Sequence, residues 1–98
     1  MFYTPNNKQQ MNPLSKLEKN AALQILDYLY EKGEASRTEI ETTVQGSSGT
    51  IGSSLVLLGE MGLLDERREP PMKRFIKLST EGKQVAAHLN TIKQLLQK

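Results

Sequence analysis

Apolar residues recur along this chain with two different periods, and the change from one to the other marks its elements. Leu17, Ala21, Ala22, Ile25, Leu26 and Leu29 fall three and four apart, the spacing of one helical face. Ser15 and Glu18 stand as Ser-x-x-Glu, a pattern in which each side chain satisfies a free backbone N–H of the other residue. With Lys32-Gly33 as a stop, they predict a first helix over about 16–32. A second box, Ser36-Arg37-Thr38-Glu39, predicts a short helix carrying Ile40 and Val44 on one face and ending at Gly46. Ser47 then caps a third helix, in which Ile51, Leu55 and Leu58 form the inward stripe and Gly62 marks the close. Beyond Gly62 the period shortens. Leu63-Leu64 leads into Asp65-Glu66-Arg67-Arg68-Glu69, which with Lys73-Arg74-Phe75-Ile76-Lys77-Leu78 flanks Pro70-Pro71 and predicts two extended segments around a tip, with Ile76 and Leu78 facing the core. Thr80 is the expected cap of a last helix, about 80–98, whose Val85, Leu89, Ile92 and Leu96 form a coiled-coil-like seam, widened by Ala86 and Leu95.

Two regions fall outside this alternation or join its parts. Residues 1–14 hold Pro5, Asn6, Asn7, Gln9, Gln10, Asn12 and Pro13 and have no helical period; with Phe2 and Tyr3 as the only large anchors, they read as a flexible arm that frays, docks on a partner subunit or reaches a groove. The remainder, 15–98, reads as one domain. Its second and third helices, joined by a tight glycine-containing turn, make a helix-turn-helix. With 98 residues the chain has room for one domain and a modest core, and small domains often gain stability by pairing.

Composition narrows the function classes. The absence of cysteine excludes disulfides, thiolate metal sites and cysteine catalysis. No apolar run approaches the ~20 residues needed to span a bilayer. Met-Phe-Tyr-Thr-Pro-Asn-Asn-Lys lacks the apolar core of a signal peptide, so a cytoplasmic protein is expected, with no membrane partner. The net charge of +2 does not by itself indicate a polyanionic partner, and the position of the charges matters more. No Walker loop, dinucleotide fingerprint or metal-ligand cluster occurs, so neither an enzyme nor a cofactor is expected. His88, the single histidine, lies mid-helix and reads as a surface or interface residue.

Two segments carry a resemblance to a known family. One is Thr50-Ile51-Gly52-Ser53-Ser54-Leu55-Val56-Leu57-Leu58-Gly59-Glu60-Met61-Gly62-Leu63-Leu64, and the other is Lys77-Leu78-Ser79-Thr80-Glu81-Gly82-Lys83. The first is similar to the recognition helix of winged helix-turn-helix regulators, where a Thr and an aliphatic precede Ser-Arg, two leucines three apart and a Glu-x-Gly-Leu-aliphatic close. The second resembles the same family's Leu-Thr-x-x-Gly-Lys, with Ser79 standing between Leu78 and Thr80. The chain thus resembles small MarR-type and ArsR-type transcriptional regulators over about 15–98, and its size is similar to DNA-binding proteins of archaea and their viruses. The resemblance implies a mainly α fold with a small β-hairpin wing and a C-terminal helix available for dimerisation. It implies a homodimer that binds double-stranded DNA and regulates transcription. The family's Ser-Arg pair falls at Gly52-Ser53, and the positions often basic in relatives are Val56 and Leu57, so the usual recognition arginine is missing.

Candidate DNA contacts follow from the pattern and the resemblance together. With Ile51, Leu55 and Leu58 inward, about 100° per residue turns Gly49, Ser53, Val56, Leu57 and Glu60 outward. Ser47, Ser48, Thr50, Ser53 and Ser54 offer hydroxyls, which reach bases or phosphates with little discrimination, or else cap and solvate the helix start. Arg67, Arg68, Lys73, Arg74 and Lys77 place five of the thirteen Lys and Arg residues within eleven positions. The first four are the candidate wing contacts, set against the alternative of a charged edge that discourages aggregation. Arg37 is a further candidate, either for a phosphate or as a solvated side chain. The seam Val85, Leu89, Ile92 and Leu96 packs on its own domain or, as the resemblance favours, on a second copy. The competing function is a protein-interaction module that uses the apolar pair Val56 and Leu57. Nothing in the chain specifies a pocket for a small-molecule effector.

Overall fold

In the computed structural model, which describes residues 12–18 and 21–97, the chain forms α1 (Pro13–Leu17), α2 (Ala22–Lys32), β1 (Glu34–Ser36), α3 (Arg37–Thr43), α4 (Ser48–Glu60), β2 (Leu64–Glu69), β3 (Lys73–Leu78) and α5 (Thr80–Leu96). The predicted arm lies outside the described residues up to residue 11.

Capping chemistry places several helix ends where the pattern puts them. At α3 the box is complete: Ser36 Oγ accepts from the Glu39 N–H at 3.1 Å, and Glu39 Oε1 accepts from the Ser36 N–H at 2.9 Å. At α4, Ser47 Oγ accepts from the Thr50 N–H at 3.1 Å. Gly62, at φ 77°, takes the left-handed turn between α4 and β2 that a side chain would disfavour.

Two caps differ from expectation. The first helix does not run unbroken over 16–32, and Ser15 is not its cap. Asn12 Oδ1 accepts from the Leu14 N–H at 3.0 Å, Pro13 fits the first turn, and α1 ends at Leu17. α2 begins at Ala22, and the N–H of its cap residue Ala21 donates to the buried Ser54 Oγ of α4 at 3.0 Å. A tertiary bond there replaces a local one. At the other end Ser79, not Thr80, caps α5: its Oγ accepts from the Gly82 N–H at 3.0 Å and donates to the Gly62 carbonyl at 2.6 Å. Ser79 therefore occupies the threonine place of the Leu-Thr-x-x-Gly-Lys pattern, and no residue is inserted.

The hairpin is present with Leu64 opposite Leu78 and Glu69 opposite Lys73. A third strand, β1, was not legible in the pattern. Its three residues lie between one helix end and the next capping box, too few to show an alternation. It pairs antiparallel with β3, Ala35 opposite Ile76, giving the order β1-β3-β2. Helices α2, α3 and α4 and the inner face of the sheet enclose one core, in which Ile25, Leu26, Leu29, Ile40, Ile51 and Leu58 are fully buried. Each such side chain contributes about 1.5–3 kcal/mol relative to exposure. Ile76 and Leu78 face this core, as the period of two requires.

The seam of α5 divides along its length. Val85 and Leu89 pack against the core and Ala86 is buried, whereas Ile92 and Leu96 are exposed. Lys93 ties α5 back to α2, its Nζ lying 3.1 Å from both carboxylate oxygens of Asp27 and 3.0 Å from Glu31.

Candidate nucleic-acid interface

Burial of Ile51, Leu55 and Leu58 turns the opposite face of α4 outward, and that face is polar at its N-terminal half. Ser48, Gly49 and Ser53 are exposed, Thr50 is half-buried and Val56 is exposed. Ser47 is exposed as well, but its hydroxyl caps the helix and donates to Thr50 Oγ1 at 3.0 Å. Ser54 departs from the expected contact set. It is wholly buried and bonded to the Ala21 N–H, so its hydroxyl belongs to the core and cannot meet a ligand. Leu57 is half-buried, so it does not form a fully exposed apolar pair with Val56.

Arg37, at the start of α3, reaches across to α4. Its Nε donates to Glu41 Oε2 at 2.8 Å, and Ser48 Oγ approaches the same oxygen at 3.4 Å. Glu41 is thus half-buried and engaged. The i, i+4 spacing of Arg37 and Glu41 was the available signal for this pair.

The wing cations sort into engaged and free. Arg67 on β2 lies over the Phe75 ring opposite it on β3, 4.6 Å from the centroid, and reaches Glu34 on β1 at 3.1 Å. Its other nitrogen meets Glu69 at 2.6 Å. Arg67 therefore braces all three strands. Arg74 makes a two-pronged pair with Glu66. The hydrogen bond from Arg74, and secondarily the charges of Arg74 and Arg68, hold the Glu66 carboxyl below its ordinary range. The hydrogen bond to Glu66 raises the Arg74 guanidinium above its ordinary value, and those to Glu34 and Glu69 do the same for Arg67. Arg68 is the least engaged arginine, its side chain 77% exposed and its nearest carboxylate, Glu66, 3.6 Å away. Lys73 and Lys77 are exposed and lie in no ion pair among the described residues. Such surface pairs are weak and salt-screened, so a phosphate can exchange with the carboxylate partners.

Helix and wing border common space. A hollow of about 280 Å³ is lined by Gly52 and Val56 of α4 and by Glu66 and Arg74 of the hairpin. A second, of about 570 Å³, opens over Ser48, Gly49, Gly52 and Ser53. Arg37 lines both. No group of three or more acidic, His or Cys side chains that could hold a metal occurs among the described residues, and none of their helices is long and apolar enough to cross a membrane.

Solved structures share this architecture. The transcriptional repressor BigR from Xylella fastidiosa is 26% identical, with a TM-score of 0.72 over 95% of this chain and 91% of that one. Reduced HlyU from Vibrio cholerae is 29% identical, with a TM-score of 0.68 over 81% of this chain and 82% of that one. A transcriptional regulator homologue from Pyrococcus horikoshii is 18% identical, with a TM-score of 0.72 over 95% of each. No protein-family model matches the chain, and no curated protein does. The fold is a winged helix-turn-helix, mostly helical with a small three-stranded antiparallel sheet, and the chain resembles winged-helix transcription regulators.

Proposed function

We propose that this protein is a transcriptional regulator that binds double-stranded DNA as a homodimer, with α4 in the major groove and the β2–β3 wing on the backbone and in the minor groove. Its similarity to winged-helix regulators supports a DNA-binding role, without an enzymatic one, at the level of the fold. The observation that carries the finer reading is the hollow shared by α4 and the hairpin, where Gly52 and Val56 face Arg74 and Glu66, next to the open hollow over Ser48, Gly49, Gly52 and Ser53.

Ser48, Thr50 and Ser53 are the reading hydroxyls, and Gly49 allows close backbone approach. Arg68 and Lys73 meet phosphates directly. Arg67 and Arg74 contribute after exchanging a carboxylate for a phosphate oxygen. Such a surface binds many duplexes and prefers few, because hydroxyls discriminate bases poorly. A second copy covers the exposed end of α5, where Leu23, Leu89, Ile92 and Leu96 border an apolar hollow of about 300 Å³. Two-fold pairing would set the two α4 helices roughly one DNA turn apart and favour a pseudo-palindromic site. A cytoplasmic location in contact with the chromosome follows from this role.

Anisotropy titrations on a labelled duplex of randomised sequence, repeated across salt concentrations, test the proposal. Arg68→Ala with Lys73→Ala should weaken binding to every duplex and reduce the salt slope by about 0.9 per lost phosphate contact. An unchanged slope removes the wing from the interface. No binding by the unaltered protein at low salt would instead favour the interaction module, with exposed Val56 as its contact.

A further inference from the structure

Gly52-Ser53 stands where the resembled family pattern has Ser-Arg, yet a guanidinium lies against α4. A Cβ built on Gly52 would stand 2.8 Å from Arg37 Nη2, so the end of Arg37 rests directly on the backbone of α4 in a space that only glycine leaves open. Arg37 also lines three adjoining hollows: one between α3 and β3, one between α4 and the hairpin, and one over the open face of α4. It is thus the cation at the junction of helix, helix and wing. Glu41 holds its Nε at 2.8 Å, which orients the group and leaves the Nη edge available, since guanidinium has donors to spare.

On the reading that α4 enters the major groove and the wing the adjoining minor groove, the junction between them has one possible neighbour. The two grooves of a duplex are separated by a sugar–phosphate strand, which must pass over this floor. We propose that Arg37, delivered across Gly52 and steered by Glu41, clamps the phosphate of that intervening strand, and that Gly52 is the positioning residue that admits it. The missing arginine of the recognition helix is replaced in space by one from the preceding helix. Its task differs, because a phosphate clamp contributes affinity and register, whereas sequence is read by contacts to the bases.

A double-mutant cycle on the full chain tests the pairing, read by anisotropy on labelled randomised duplex. Arg37→Ala should lower affinity about tenfold, uniformly across sequences, and reduce the salt slope by about 0.9 for each copy bound. Gly52→Ala removes no charge. It should nevertheless cost a comparable factor, because the new methyl displaces the flexible end of Arg37. Its melting temperature should hold or rise, alanine being the better helix former. In the Arg37→Ala background, Gly52→Ala should cost nothing more. Independent, multiplying losses would overturn the proposal, as would full affinity in Gly52→Ala. So would an Arg37→Ala defect confined to particular sequences in a selected pool, which would make the arginine a base reader. Failure of the unaltered protein to bind any duplex would instead overturn the functional reading beneath it.

Discussion

Gly82→Ala is the substitution for which sequence propensity and tertiary structure make opposite predictions. Gly82 lies in the first turn of α5, where alanine would ordinarily stabilise a helix by about 1 kcal/mol. Its Cα, however, is pressed against the turn after α4. An added Cβ would stand 2.0 Å from the Leu63 carbonyl oxygen, roughly 1 Å inside the closest approach such atoms make. The obstacle is backbone and cannot swing aside. The same carbonyl accepts from the Ser79 N–H at 2.9 Å, and the neighbouring Gly62 carbonyl accepts from Ser79 Oγ at 2.6 Å. Moving α5 outward weakens both bonds, at about 1 kcal/mol each, and adds the cost of overpacking, about 1–3 kcal/mol. After the gain in propensity the net loss is about 2–4 kcal/mol, or about 8–32 °C in melting temperature for a domain of this size. Circular dichroism in urea and on heating measures it, at fixed protein concentration because association would add its own stability. Gly59→Ala is the control: nothing lies within 4 Å of its Cβ position, and it should stabilise by about 0.5–1 kcal/mol. If Gly82→Ala proved as stable as Gly59→Ala, the tight seating of α5 on Leu63 would be refuted.

Other substitutions probe other parts of the molecule. Ser54→Ala should cost about 1–3 kcal/mol in urea, since it strands the buried Ala21 N–H; a loss within ±0.5 kcal/mol would refute that role for the bond. Ile92→Asp with Leu96→Asp, both at exposed positions, should leave the melting curve of the monomer nearly unchanged while shifting sedimentation from dimer to monomer, and persistent dimers would place the interface elsewhere. Leu89 is unsuited to that test because it packs on the core. The Ser36 N–H, and secondarily the Lys32 charge, hold the Glu39 carboxyl below its ordinary value of 4.5. A depressed carboxylate stabilises the fold above that value and loses its contribution as pH falls through the lowered one. The stability gap between the native chain and Glu39→Gln should therefore be widest at neutral pH and close in acid; a gap independent of pH would deny the cap its charge.

Much of the fold was legible because its signals are local. The capping box at Ser36 and Glu39, the cap at Ser47 and the stripe Ile51, Leu55 and Leu58 each involve residues within two helical turns, and hydrogen bonding and burial act on them wherever the chain goes. The hairpin followed from a period of two on either side of a proline pair. Where a distant group competed, the local reading failed. Ser15 and Glu18 had the spacing of a cap, but Asn12 and Pro13 offered a better start, and the N–H of Ala21 before α2 is held by Ser54, thirty-three positions on. Thr80 was a fit cap until Gly62 supplied an acceptor for the hydroxyl of Ser79.

The binding face shows the same division more sharply. From residue types and spacing alone came a helix with hydroxyls outward, a cationic hairpin and an apolar seam toward the chain end. The sequence could not say which arginines are bound to neighbouring carboxylates, because Arg67 and Glu34 are joined only by the pairing of three strands. The helical period does set Ser54 on the stripe of Ile51, Leu55 and Leu58 and Ser53 off it, but it could not say that the Ser54 hydroxyl is taken by the Ala21 N–H. Nor could it seat Arg37 on Gly52, residues from two helices with no periodic relation. Periodicity records which face of an element turns inward; what that face meets, and so which polar groups remain free to bind, depends on the packing of elements far apart in the chain.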